Sequence, residues 1–123
     1  MKAAISFDVY GDFYSRIKPT EGREWEDDWD YSEPLKHLNE MVADAVKKKQ
    51  LTFKYGRKLV QPILPIDTLD CGNIFDDDGI SYWNDVEIWC NIPVKYEDFD
   101  WDKFVVSKCP DGFEPRRIYV RSV

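Results

Sequence analysis

Residues 32–49 read SEPLKHLNEMVADAVKKK and settle the class of fold. Leu35, Leu38, Val42, Ala45 and Val46 recur at helical spacing, leaving the remaining faces polar. Ser32 suits the N-cap, and Pro34 falls in the first turn, where a missing N–H leaves no gap in the hydrogen-bond ladder. Acids precede the segment and Lys47, Lys48 and Lys49 close it, so both ends complement the macrodipole, each favourable charge contributing about 0.3–1 kcal/mol. The spacing predicts a helix over 33–49. Its apolar stripe is narrow, which suits a helix lying on a sheet better than one inside a bundle.

On both sides of this segment the period is two. Ile5, Phe7 and Val9 alternate with Ser6, Asp8 and Tyr10, the pattern of a half-buried strand. Gly11-Asp12 permits a turn, and Phe13 to Ile17 reads as a second extended piece before the turn chemistry of Lys18 to Gly22. After the helix, Leu51, Phe53 and Tyr55 lead into Gly56-Arg57 and then Leu59, Val60 and Ile63, which predicts a tight hairpin. Pro62 and Pro65 confine its second strand to a short or edge position. Asp76-Asp77-Asp78-Gly79 reads as a turn into Ile80 to Trp83, and Asn84-Asp85 as another two-residue turn, because both residues tolerate positive φ. Val86, Ile88, Cys90 and Ile92 then alternate with Glu87, Trp89 and Asn91 in the clearest strand of the chain. Trp101, Phe104 and Val105 favour a short helix before Val105. Cys109 to Gly112 is a turn, and Ile118, Val120 and Ser122 mark a final strand. The whole reads as a single α+β domain over 1–123, with a curved, mainly antiparallel sheet of about five to seven strands and one principal amphipathic helix.

Composition excludes several functions. Apolar residues make up 43% and charged ones 33%, with seven Phe, five Trp and seven Tyr, so the chain has the means to bury a core. A formal charge of −7 and a pI near 4.7 argue against direct nucleic-acid binding, which draws its affinity from Lys and Arg. Basic proteins are the electrostatically sensible partners. Cys71, Cys90 and Cys109 cannot all pair within one chain and lack zinc-site spacing, which fits a reducing compartment. The N-terminus has no apolar signal region, and no run approaches the roughly 20 apolar residues of a membrane span, so a cytoplasmic location is expected.

Catalytic groups are scarce. His37 is the single histidine and falls off the Leu35-Leu38-Val42 stripe, which predicts a solvent-facing position. The cysteines read as small core residues, Cys90 above all. Asp67, Asp70, Asp76, Asp77 and Asp78 could ligate a hard cation, but counting back from Gly79 or Gly72 does not give the acidic positions of a calcium loop. No glycine-rich phosphate loop can be drawn. The expectation is a non-enzymatic protein without cofactor or metal. Lys47 to Lys49, Lys54, Arg57 and Lys58, together with Arg116, Arg117 and Arg121, are expected to neutralise the acidic stretches of the same molecule through surface ion pairs.

What remains is the interleaving of acids with aromatic rings. From Leu59 to Asp102 there are eleven acidic residues against one basic residue, Lys95. Trp25, Asp27, Asp28, Trp29 and Asp30 form one candidate partner-binding run, and Glu97, Asp98, Asp100, Trp101 and Asp102 a second. In an extended segment Asp98, Asp100 and Asp102 would line one face at about 6–7 Å, from a rise of ~3.3 Å per residue, close to the phosphate spacing of a nucleic-acid strand. Such a row could occupy the basic groove of a nucleic-acid enzyme by mimicry. In size and composition the chain is similar in type to small acidic inhibitors that phages and mobile elements turn on host defence, and to immunity proteins that neutralise toxins. The resemblance carries over no residue role. Two other classes stay open: a small-ligand-binding protein with an aromatic-lined pocket, and a carboxylate-metal enzyme.

Overall fold

The computed structural model describes residues 1–19 and 29–122. Seven strands and one long helix appear among them: β1 (Lys2–Val9), α1 (Ser32–Lys47), β2 (Thr52–Tyr55), β3 (Lys58–Val60), β4 (Asp70–Asp76), β5 (Gly79–Asn91), β6 (Phe104–Lys108) and β7 (Phe113–Arg121). They form two antiparallel sheets, one in the order β4-β5-β1-β7 and the other in the order β3-β2-β6. The fold is therefore α+β, as the alternating periods predict.

The inner faces make one core. Ala3, Ile5, Phe7 and Val9 of β1 and Val86, Ile88 and Cys90 of β5 meet Phe53 and Tyr55 of β2, Val60 of β3 and Phe104 of β6. Phe7 touches Phe53 and Phe113 edge-on at 6.2 and 6.0 Å, so a ring contact links the two sheets. Leu38, Val42 and Ala45 of α1 are buried in the same cluster, with Leu35 and Val46 partly buried beside it. The β2–β3 hairpin closes through Gly56-Arg57 with Gly56 at φ 61°, the sign that the first position of a primed turn requires. β3 is a three-residue edge strand that stops short of Pro62.

Three local expectations are corrected. Ser32 is the first helical residue and not the cap; its N–H and hydroxyl both donate to Asp30 Oδ1, at 2.9 and 2.6 Å, so Asp30 organises the helix start. Those bonds hold the Asp30 carboxyl below its ordinary range. Phe13 to Ile17 is not extended, because Asp12 accepts from the Ser15 N–H and starts a 3₁₀ turn over Tyr14–Arg16. Phe13 and Ile17 are both buried. Asn84-Asp85 is no turn: β5 runs unbroken through it for 13 residues, and Asn84 is buried with its amide bonded to the end of β1. The helix itself ends at Lys47; Lys49 takes φ 56°, with Lys49 N–H on the Val46 carbonyl and Gln50 N–H on the Ala45 carbonyl, a Schellman closure built without glycine.

Candidate functional site

Of the first acidic-aromatic run, Trp25, Asp27 and Asp28 lie outside the described residues. Asp30 pairs its backbone with Lys18 at 2.8 and 3.1 Å and uses its carboxylate on Ser32, while Trp29 is half-buried. The second run is described in full and does not make the row of carboxylates that an extended chain would give. Tyr96–Asp98 and Trp101–Lys103 are 3₁₀ turns, because Asp100 accepts from the Asp102 N–H at 2.9 Å and Tyr55 holds the chain between the turns. The Tyr55 hydroxyl accepts from the Asp100 N–H at 3.0 Å and donates to the Asp98 carbonyl at 3.5 Å. Phe99 stacks on Tyr55 at 5.6 Å and meets Trp101 and Phe104 edge-on. The short helix expected before Val105 is the second of these turns. Trp101 keeps about half of its surface exposed, and Glu97, Asp98, Asp100 and Asp102 are exposed around it.

A different part of the same acidic stretch stands further out. β5 pairs with β1 only from Asp85 to Asn91, whereas it pairs with β4 from Gly79 to Asp85. The paired β4–β5 hairpin therefore extends past the end of β1 as a two-stranded arm. Strand periodicity carries the inner face, with Val86, Ile88 and Cys90, outward into Tyr82 and Ile80, opposite Asn73 and Phe75. Among the described residues no third strand backs these, and Phe75 is 73% exposed, Ile74 56% and Ile80 50%. On the other face Trp83 lies over Gly72 so closely that a Cβ there would come within 2.6 Å of its ring. At the tip, Asp76 accepts from the Asp78 N–H and the Ser81 hydroxyl, while Asp77 and Asp78 point three-carboxylate chemistry toward solvent together with it. Positions 59–94 contain no Lys, Arg or His, so no internal cation from this stretch can neutralise the tip.

Asn84 sits where arm and sheet join. Its amide nitrogen donates to the Val9 carbonyl at 2.6 Å and the Gly11 carbonyl at 2.7 Å, satisfying backbone acceptors left where β1 ends. Below the joint, the outer face of the sheet holds a trough of about 450 Å³. Ser6 and Asp8 line its floor, Asp85 and Glu87 one wall, and Arg117 and Tyr119 the other. Arg116 bonds Asp8 at 2.8 Å. Among the described residues, ion pairs are seen at Arg116–Asp8 and Lys48–Asp44, and neither engages the acidic stretch, contrary to the expected internal neutralisation.

The remaining reactive groups are structural. His37 is half-buried and not solvent-facing, its ring 5.4 Å from Phe13, which the Tyr14–Arg16 turn brings under the helix. Burial pushes the Cys90 thiol up to about 12 and, with help from Asp70 and Asp12, the Cys71 thiol up to about 11, so neither is a ready nucleophile. Cys109 donates to the Phe113 carbonyl at 2.8 Å. Among the described residues, no group of three or more His, Cys, Asp or Glu side chains is placed to hold a metal ion, and no helix is long and apolar enough to cross a membrane. Comparison of the chain with protein families, curated proteins and solved structures finds no match.

The arm was not visible in the sequence as a site. Its signals are there in part, as the cation-free stretch and the Asp76 to Gly79 turn, but a turn at Asn84-Asp85 cuts β5 in two, and the strand Asp70–Asp76 is missing from the expectation.

Proposed function

We propose that this protein acts by binding a basic partner protein and occluding the partner's own working surface, with no catalytic step of its own. The observation that carries this reading is the arm: Ile74, Phe75, Ile80 and Trp83 stand exposed beside Asp76, Asp77 and Asp78 on a ribbon without a single cation. Exposed apolar groups of that size on a projecting element mark contact surfaces, and the carboxylates steer a cationic partner toward them. Trp101, with Glu97, Asp98, Asp100 and Asp102 around it, supplies a second acidic-aromatic contact. A nucleic-acid-binding enzyme or a toxin fits the role, because its groove presents Lys and Arg to phosphate and would accept carboxylates in their place.

The test is capture from the cells in which the protein is made, by the natural chain and by a chain carrying Asp76→Lys, Asp77→Lys and Asp78→Lys. The expected outcome is a basic protein held by the first, lost by the second and released as salt rises from 50 to about 500 mM. Equal capture by both folded chains would refute the reading. The trough between Glu87 and Arg117 favours a second one, a small dipolar ligand held between opposed charges two strands apart. A native mass spectrum of the purified protein separates the two, since only the second predicts a stoichiometric small molecule.

A further inference from the structure

We infer that the partner docks by adding a strand of its own to the open edge of β4. This rests on the arm being the contact surface and specifies how the contact is made. The two edges of the four-stranded sheet are β4 and β7, and they are built differently. β7 carries Pro115 and a register shift opposite Ser6 and Phe7, both of which blunt an edge against further pairing. β4 has neither: it pairs with β5 in unbroken register over seven residues and contains no proline.

The hairpin geometry identifies which groups are free. Asp76 and Gly79 close a two-residue turn, so theirs is a pair that exchanges both backbone hydrogen bonds, and such pairs recur at every second residue. The N–H and C=O groups of Cys71, Asn73 and Phe75 therefore point away from β5, and among the described residues no strand or isolated bridge takes them up.

Charge decides what occupies the edge. A second copy pairing β4 with β4 antiparallel about Asn73 sets Asp70 against Asp76 twice, and like charges directly opposite are unfavourable. An extended segment in which Lys or Arg alternates with apolar residues places cations near Asp70, Asp76 and the tip. Its apolar side chains then meet Phe75 on the opposite face.

The probe is the peptide acetyl-KVKVKVK-amide, with a copy N-methylated at two adjacent central residues so that neither of its edges can pair. Binding is followed by amide exchange and by titration. The lysine peptide should slow exchange at Cys71, Asn73 and Phe75, and methylation should weaken binding by at least about tenfold. Asn73→Pro, which removes one outward N–H and leaves the β5 ladder intact, should weaken it similarly at an unchanged unfolding midpoint; if that variant unfolds, the methylated peptide still decides. Equal binding of both peptides, or no binding of the lysine peptide, overturns strand addition. The Asp76 to Asp78 capture experiment is untouched by either result, so the arm reading can stand or fall separately.

Discussion

Acids flank Phe99 and Phe75 alike, yet Phe99 lies among Tyr55, Trp101 and Phe104 whereas Phe75 projects with most of its surface in solvent. The two regions share a composition and differ in what stands behind them. Residues 96–102 are backed by β2 and β6, and Tyr55 fixes their backbone with its hydroxyl. The arm passes beyond the end of β1; the Tyr14–Arg16 turn touches β4, but among the described residues no further strand backs Phe75 and Ile80, which stay exposed. A ring beside carboxylates thus becomes core or contact according to whether a second layer reaches it.

Substitutions on either side of this divide can break it. Phe104→Ala removes the floor beneath Phe99 and should destabilise the fold by about 3–5 kcal/mol, read by denaturant unfolding; a cost below about 1 kcal/mol would mean that residues 96–102 are not backed. Gly72→Ala puts a methyl group into the ring of Trp83 and should cost about 1–3 kcal/mol, with a shift of indole fluorescence as the ring lifts from β4. Tyr55→Phe keeps the ring stack but leaves the Asp100 N–H without its partner, and should cost about 1–2 kcal/mol. Phe75→Ala should change stability by no more than about 0.5 kcal/mol while weakening capture of the partner, the smallest effect on folding and the sharpest contrast with Phe104.

The parts of the fold that could be read from the sequence are those whose signals are local. The stripe from Leu35 to Val46 and the glycine at position 56 carry their own geometry, and α1 and the β2–β3 hairpin follow. The arm depends on where β1 stops along β5, a fact held by residues more than seventy positions apart in the chain and absent from either periodicity. Asn84 shows the difficulty most clearly. In a short window Asn-Asp is a turn; opposite the last carbonyls of β1 the same amide is a backbone partner. The acidic stretch from Leu59 to Asp102 does contain the candidate site, but alternation could not tell Phe99, turned inward, from Phe75, turned outward.

Seen mechanically, the arm is a cantilever, and Asn84 is the clamp at its root. Two short hydrogen bonds tie β5 to the Val9 and Gly11 carbonyls at the point where β1 ends. The heading of the ribbon beyond is set at that root. A partner then encounters a lever already aimed, and little ordering of the arm is left to oppose association.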